Sequence, residues 1–139
     1  NTFTFSPPAE AEWIGLFVAA NGLDGFLRWA YNSWNEDPLR CTDFGKWPSG
    51  DCFLVYPGAC SSIRFERLRD GIEDAEKIRI LRERAAAIGT PEAQTIIDKL
   101  NARLRAIFTV ARSKGNTHGE DVRRAHELIS EVTENLFRL

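Results

Sequence analysis

Hydrophobic positions follow a helical period at the two ends of this chain and form short continuous runs in the middle. Ser6-Pro7-Pro8-Ala9-Glu10 reads as a helix start, with Ser6 able to cap and Pro7 suited to the first helical position. Trp13, Ile14, Leu16, Phe17 and Ala20 then make a broad apolar face, and Gly22 is a natural stop. The run Phe26 to Ala30 predicts a strand covered on both sides, broken only by Arg28, which calls for a partner carboxylate or a ligand. A long loop over residues 31–50 follows, rich in Asn, Asp, Pro and Gly. Loops this long in compact domains are usually functional or disordered, and Trp34, Phe44 and Trp47 argue against disorder. Residues 52–56 predict a second strand, closed by Pro57-Gly58.

Beyond this point the pattern is helical throughout. Ser61 or Ser62 caps a segment reaching about Ile88, with Ile63, Leu68, Ile72, Ala75, Ile78 and Leu81 on roughly one face. Gly71 interrupts it, at a cost of about 1 kcal/mol against Ala, and marks a place for close helix packing. Gly89-Thr90-Pro91 ends that helix and starts another. Its stripe of Ile96, Ile97, Leu100, Leu104, Ile107 and Phe108 predicts a helix to about Ser113. After a turn at residues 114–117, Val122, Ala125, Leu128, Ile129, Val132 and Leu136 mark a final amphipathic helix, antiparallel to the one before. The pattern as a whole predicts an α/β fold, as in the tail of a larger enzyme.

Composition narrows the function classes. The 139 residues include 18 Lys and Arg against 20 Asp and Glu, a net charge of -2, so no basic excess recommends nucleic acid. The longest uncharged run in a helical segment, Trp13 to Leu23, is too short to span a bilayer. The opening Asn-Thr-Phe-Thr-Phe has no charged n-region of a signal peptide. With no methionine at all, Asn1 is not a translation start, and the chain reads as a segment of a longer polypeptide whose destination it does not reveal. The three cysteines, Cys41, Cys52 and Cys60, contain no CxxC pair, so they suggest neither metal spacing nor a complete disulfide framework. Cys52 opens an apolar run and reads as a buried, inert thiol.

The side chains that carry chemistry cluster around the two apolar runs. Trp29, Tyr31, Asn32 and Trp34 combine faces that stack on a pyranose ring with an amide that bonds its hydroxyls. In an extended strand Trp29 and Tyr31 face one way and Ala30 and Asn32 the other, so one pocket needs a turn after Tyr31. Trp47 and Asp51 flank the second run, and Tyr56 ends it in the extended conformation that Pro57 imposes. Glu36-Asp37 is an adjacent acidic pair before Pro38 and reads as a solvated turn. Arg64, Glu66, Arg67 and Glu73 have the spacing of exposed helix ion pairs. His118 and His126 have no acidic partner at metal spacing and read as surface or capping residues.

Three motifs in this order, GFLRWAYNSW at residues 25–34, GDCFLVYPG at residues 50–58 and SSIRFERLRDGI at residues 61–72, resemble glycoside hydrolase family 123. The likeness is to the C-terminal part of the family's catalytic domain and spans about residues 2–82. It implies a (β/α)8 barrel that removes N-acetylgalactosamine by a retaining mechanism assisted by the substrate's own acetamido group. The chain would then hold the last two parallel barrel strands, followed by an antiparallel helical segment. Residues 1–88 would belong to the barrel-like catalytic domain and residues 89–139 to a helical C-terminal extension. The family's Asp-Glu pair maps upstream of this segment, so no catalytic residue is assigned here. Trp29, Tyr31, Asn32, Trp34, Trp47, Asp51 and Tyr56 are the expected sugar contacts, at the strand ends where barrel sites lie. The resemblance implies no cofactor and no metal. The expected partners are an N-acetylhexosamine glycoside and, through open strand edges, another copy or the remainder of the same chain. The aromatic loop with its helical tail also suits a noncatalytic carbohydrate-binding or helical interaction module.

Overall fold

A computed structural model describes residues 2–139. Its helices are α1 (Pro8–Asn21), α2 (Ile63–Ile88), α3 (Pro91–Ile107) and α4 (His118–Phe137), with a 3-10 turn at Arg112–Lys114 before α4. Local chemistry sets their ends. Pro7 stands at the N-cap position of α1 with no side-chain cap bond, and Pro8 takes the first position, so the helix starts one residue later than the Ser6-Pro7 pattern suggests. Gly22 closes α1 at φ 65°, a left-handed turn that glycine adopts without strain. The Ser62 hydroxyl accepts from the Phe65 amide at 3.2 Å and also donates to the Leu54 carbonyl at 2.5 Å, so one side chain starts α2 and ties it to the preceding loop. Thr90 caps α3 in the same way, accepting from the Ala93 amide at 3.3 Å. That helix stops at Ile107, short of the expected Ser113.

The four helices share one core of Trp13, Leu16, Ile78, Leu81, Leu100, Leu104, Phe108, Leu128 and Leu136, with smaller residues between them. Most residues of the apolar stripes read from the sequence face this core, but Ile63 and Ile72 of the α2 stripe are exposed. Helices α1 and α2 cross at backbone contact. A Cβ added to Gly15 would lie 2.1 Å from the Gly71 carbonyl oxygen, and one added to Gly71 would lie 2.3 Å from that of Glu12. Contacts advance along both helices together, from Glu12 with Arg67 to the Ala19 carbonyl with Arg82, so α1 and α2 run parallel. The whole segment between them must therefore travel back along the bundle. At the other side Asp121 of α4 is fully buried and accepts from the Trp13 indole at 3.2 Å, Arg112 Nε at 3.1 Å and Thr117 at 3.3 Å, which locks the start of α4 to α1.

The α/β expectation fails. No strand or sheet occurs among the described residues, so the segment is not a pair of parallel barrel strands followed by helices. Just past the first run, residues 31–33 meet the second run at one antiparallel bridge, Asn32 with Phe53, through Leu54 N to Tyr31 O (2.8 Å) and Ser33 N to Cys52 O (3.1 Å). The physical reason lies in where the backbone finds its partners. A two-stranded pair is marginal in water, and here two guanidinium groups hold the backbone at and just before the second run, taking one of its own carbonyls, that of Phe53. Arg64, only 5% exposed, donates through Nη1 to the carbonyls of Thr2 (3.0 Å), Gly50 (2.6 Å) and Phe53 (2.9 Å). Arg28 donates to the carbonyls of Asp51 (2.5 Å) and Gly50 (3.3 Å). The apolar pattern of residues 26–30 did not mean burial either, since Phe26, Leu27 and Trp29 are exposed.

Candidate functional site

The segment between α1 and α2 carries the expected sugar contacts, and its shape follows from the two arginines beneath it. Gly50 sits at φ 82°, and a Cβ there would meet Arg64 Nη1 at 2.6 Å and Thr4 Cγ2 at 2.8 Å. Only glycine lets the loop close over the guanidinium, and this turn leads directly into Asp51. Burial pushes the Arg28 guanidinium below its ordinary value, and the neighbouring Asp51 carboxylate opposes that shift. Asp51 Oδ1 lies 3.9 Å from Arg28 Nη2, so Arg28 has the partner carboxylate its position demands. Cys52 is buried beside them, and desolvation together with the Asp51 charge raises its thiol pKa, as befits an inert core thiol.

Above Asp51 two indoles meet. Trp29 and Trp47 have ring centroids 4.9 Å apart at 40°, and Trp29 Nε1 donates to Asp51 Oδ2 at 3.2 Å. Both rings are open to water, at 55% and 43%, and being adjacent they form one exposed aromatic patch. Lys46 Nζ stands 5.5 Å from the Trp47 ring. A hollow of about 520 Å³ lies beside Trp29 and Asp51, with Arg28, Trp13, Lys114 and His118 among its lining residues. A second, of about 480 Å³, lies at Trp47 between Glu36, Asp43, Phe44 and Lys46. A larger depression, about 710 Å³, is elsewhere, between apolar residues of α1 and α2 such as Ile14, Val18 and Ile72.

The structure thus brings together Trp29, Trp47 and Asp51. The other four expected contacts are held separately. Tyr31 is half exposed, with its ring edge-on to Phe65 at 6.0 Å. Asn32 is exposed at the bridge to Phe53. Trp34 spends its indole N–H on the Val55 carbonyl at 2.8 Å. Tyr56 turns inward, edge-on to Phe53 at 5.3 Å, and its hydroxyl accepts from Arg64 Nη2 at 3.5 Å. Near Glu36-Asp37 the Asp37 carbonyl accepts from the amides of Arg40 and Cys41, an exposed turn.

Three residues play parts that spacing did not reveal. Arg64 is a buried clamp and not a surface ion pair, whereas Arg67, Glu66 and Glu73 do form helix ion pairs, with Asp70 and Arg69 as their partners. His118 is buried at 4% exposure against the Trp13 ring, edge-on at 5.4 Å, with Nδ1 unpartnered. His126 is half exposed and meets two buried carboxylates, Asp74 at 2.8 Å and Glu12 at 3.0 Å. The signal for Arg64 was its place between Ile63 and Phe65 at the very start of a helix that follows a turn.

Chemically, an exposed indole pair over a carboxylate stacks on the apolar face of a sugar and accepts from its hydroxyls. Residues 1–81 of the 139 match the family described as glycoside hydrolase 123, catalytic domain. A solved structure of a family 123 glycoside hydrolase from Clostridium perfringens, studied for glycolipid glycan hydrolysis, has the same fold over 98% of this chain, at a TM-score of 0.79 and 22% identity. That likeness runs beyond residue 81 through α3 and α4. The chain spans 26% of that enzyme's length. No curated protein matches it.

Proposed function

The chain belongs to glycoside hydrolase family 123, and from that premise we propose that it forms the sugar-contacting C-terminal part of a retaining enzyme acting on N-acetylgalactosamine-type glycosides. The observation that carries the reading is the open Trp29–Trp47 pair joined to Asp51. In the proposed reaction the substrate's acetamido oxygen attacks the anomeric carbon as the glycosidic bond breaks. One carboxylate orients the acetamide, and a neighbouring carboxylic acid protonates the leaving oxygen. Water then opens the cyclic intermediate with retention. That Asp-Glu pair is supplied by chain outside these 139 residues. Trp29 and Trp47 stack on the sugar ring, Asp51 accepts from a hydroxyl, and Tyr31, Asn32 and Trp34 contact the flanking glycan. Tyr56 supports the loop through Arg64. On this proposal residues 1–88 complete the catalytic domain and residues 89–139 are a helical extension packed onto it.

Two results follow. The 139-residue chain alone releases no phenol above buffer from an aryl N-acetyl-galactosaminide, because removing a general acid forfeits roughly 10² to 10⁴ in rate. Turnover that disappears in Glu36→Gln would contradict this assignment. The exposed apolar residues Leu23, Phe26, Leu27 and Ile72 also leave a face that associates with another copy. Light scattering at micromolar concentration is expected to show a species heavier than the monomer, and Leu27→Asp to return it to monomer. A monomer at every concentration excludes this partner.

A further inference from the structure

The cluster at the crossing of α1, α2 and α4 lies apart from the aromatic platform and has the chemistry of a metal site. Glu12 and Asp74 are buried at 4% and 2% exposure, although carboxylates are costly to bury unless they are paired or bind a metal. Each has a cation on its outer oxygen only. Arg67 Nη1 lies 3.5 Å from Glu12 Oε2, and Lys77 Nζ lies 2.8 Å from Asp74 Oδ1. Both cations reach out to water, and solvent screens much of their charge. The inner oxygens, Glu12 Oε1 and Asp74 Oδ2, converge on one atom, His126 Nε2, at 3.0 and 2.8 Å. A neutral imidazole has a single proton there, so two buried acceptors share one donor.

We propose that Glu12, Asp74 and His126 bind one divalent transition-metal ion, of which Zn²⁺ is the best fit. Their three ligand atoms lie within 4.8 Å of one another. One imidazole nitrogen and two carboxylate oxygens suit zinc, with water in the fourth position. Ligand atoms in a tetrahedral zinc site stand about 3.3 Å apart, from bond lengths of about 2.0–2.1 Å. Small outward shifts of these side chains therefore admit the ion in place of the shared proton. That single ring proton moves to Nδ1, which frees the Nε2 lone pair for the ion. Arg67 and Lys77 already hold each carboxylate by its outer oxygen, the support that ligating carboxylates characteristically have. The close crossing at Gly15 and Gly71 fixes the α1 and α2 ligands relative to each other. His126 is half exposed, which leaves the ion an approach from water.

The test uses the 139-residue chain carrying Cys41→Ser and Cys60→Ser, because both thiols are exposed and bind zinc themselves. After chelator treatment, calorimetric titration with ZnCl₂ is expected to find one site per chain. Melting temperature should rise with free Zn²⁺. His126→Ala, at a half-exposed position, should weaken binding about 100-fold, and Lys77→Met about tenfold. Co²⁺ on the chain with His126 intact should give visible bands of tetrahedral coordination, with no near-ultraviolet thiolate charge transfer. An unchanged melting temperature in zinc, equal affinity in His126→Ala, or a hexaaqua-like cobalt spectrum each overturns the proposal. Sugar binding at Trp29 is read separately, so failure here leaves that reading untouched.

Discussion

Gly71→Ala is expected to cost about 3 kcal/mol of stability, at the upper end of the usual range for overpacking a well-filled site. In a helix interior the same exchange ordinarily gains about 1 kcal/mol, because alanine has less backbone freedom to lose. Here the new methyl would lie 2.3 Å from the Glu12 carbonyl oxygen and 3.0 Å from its Cα, and backbone cannot turn aside as a side chain can. Helices α1 and α2 would have to separate along their contact, loosening the packing of Leu16, Ile78 and Leu81 as well. Against a typical total of 5–15 kcal/mol that is a large fraction. Urea unfolding measures it as a lower midpoint at unchanged slope. Gly119→Ala is the control, since its nearest neighbour is Ala9 Cβ at 3.9 Å, and its change should stay within about 0.5 kcal/mol. Gly71→Ala with equal or greater stability would show that the helices do not cross as described.

The second large effect is at Arg64. Arg64→Met keeps an apolar stem of similar length and removes the guanidinium that serves the carbonyls of Thr2, Gly50 and Phe53. Hydrogen bonds from charged donors contribute roughly 1.5–3 kcal/mol each. Relief from burying the charge offsets part of that loss. The expected net loss is about 3 kcal/mol, concentrated in the segment between α1 and α2. Limited proteolysis separates the local from the global effect. In the variant, residues 42–60 should be cut well before the helices, and the Trp29 indole should lose its bond to Asp51. Cleavage at the native rate, with unchanged stability, would mean that the loop stands without its clamp.

These two positions also show what the sequence can and cannot reveal. Most helix ends were legible because they depend on local chemistry: Ser62 and Thr90 as caps, Gly22 and Gly89 in left-handed turns, and Pro91 in a first turn, whereas α1 starts one residue later than its Ser6-Pro7 pattern suggested. Close packing at Gly71 was legible from a glycine inside a strong helical pattern, whereas its partner Gly15 drew no notice. The strands were misread because an apolar run of five residues specifies burial by pattern, but not the partners that a ladder requires. The arginines decided that, and Arg64 looked like an ordinary surface charge because its acceptors lie on segments far along the chain. His126 was missed for the same reason, since Glu12 and Asp74 reach it from two other helices. Within the candidate site, residue types suggested sugar contact as a chemistry, while the pairing of Trp29 with Trp47 across a loop was invisible to spacing.

The central claim is that the Trp29–Trp47 platform binds an N-acetylgalactosamine ring. The chain has four tryptophans, so its indole N–H resonances make four separate reporters. Trp13 is buried and bonded to Asp121, and Trp34 is bonded to Val55, while Trp29 and Trp47 stand open above Asp51. Titration with N-acetylgalactosamine should shift the Trp29 and Trp47 signals saturably, with a Kd of about 1 mM, equivalent to about 4 kcal/mol. Trp13 should stay still, and Trp29→Ala should abolish the Trp47 shift. Signals of Trp29 and Trp47 that do not move at high sugar concentration, or that move no more than Trp13, would contradict the account.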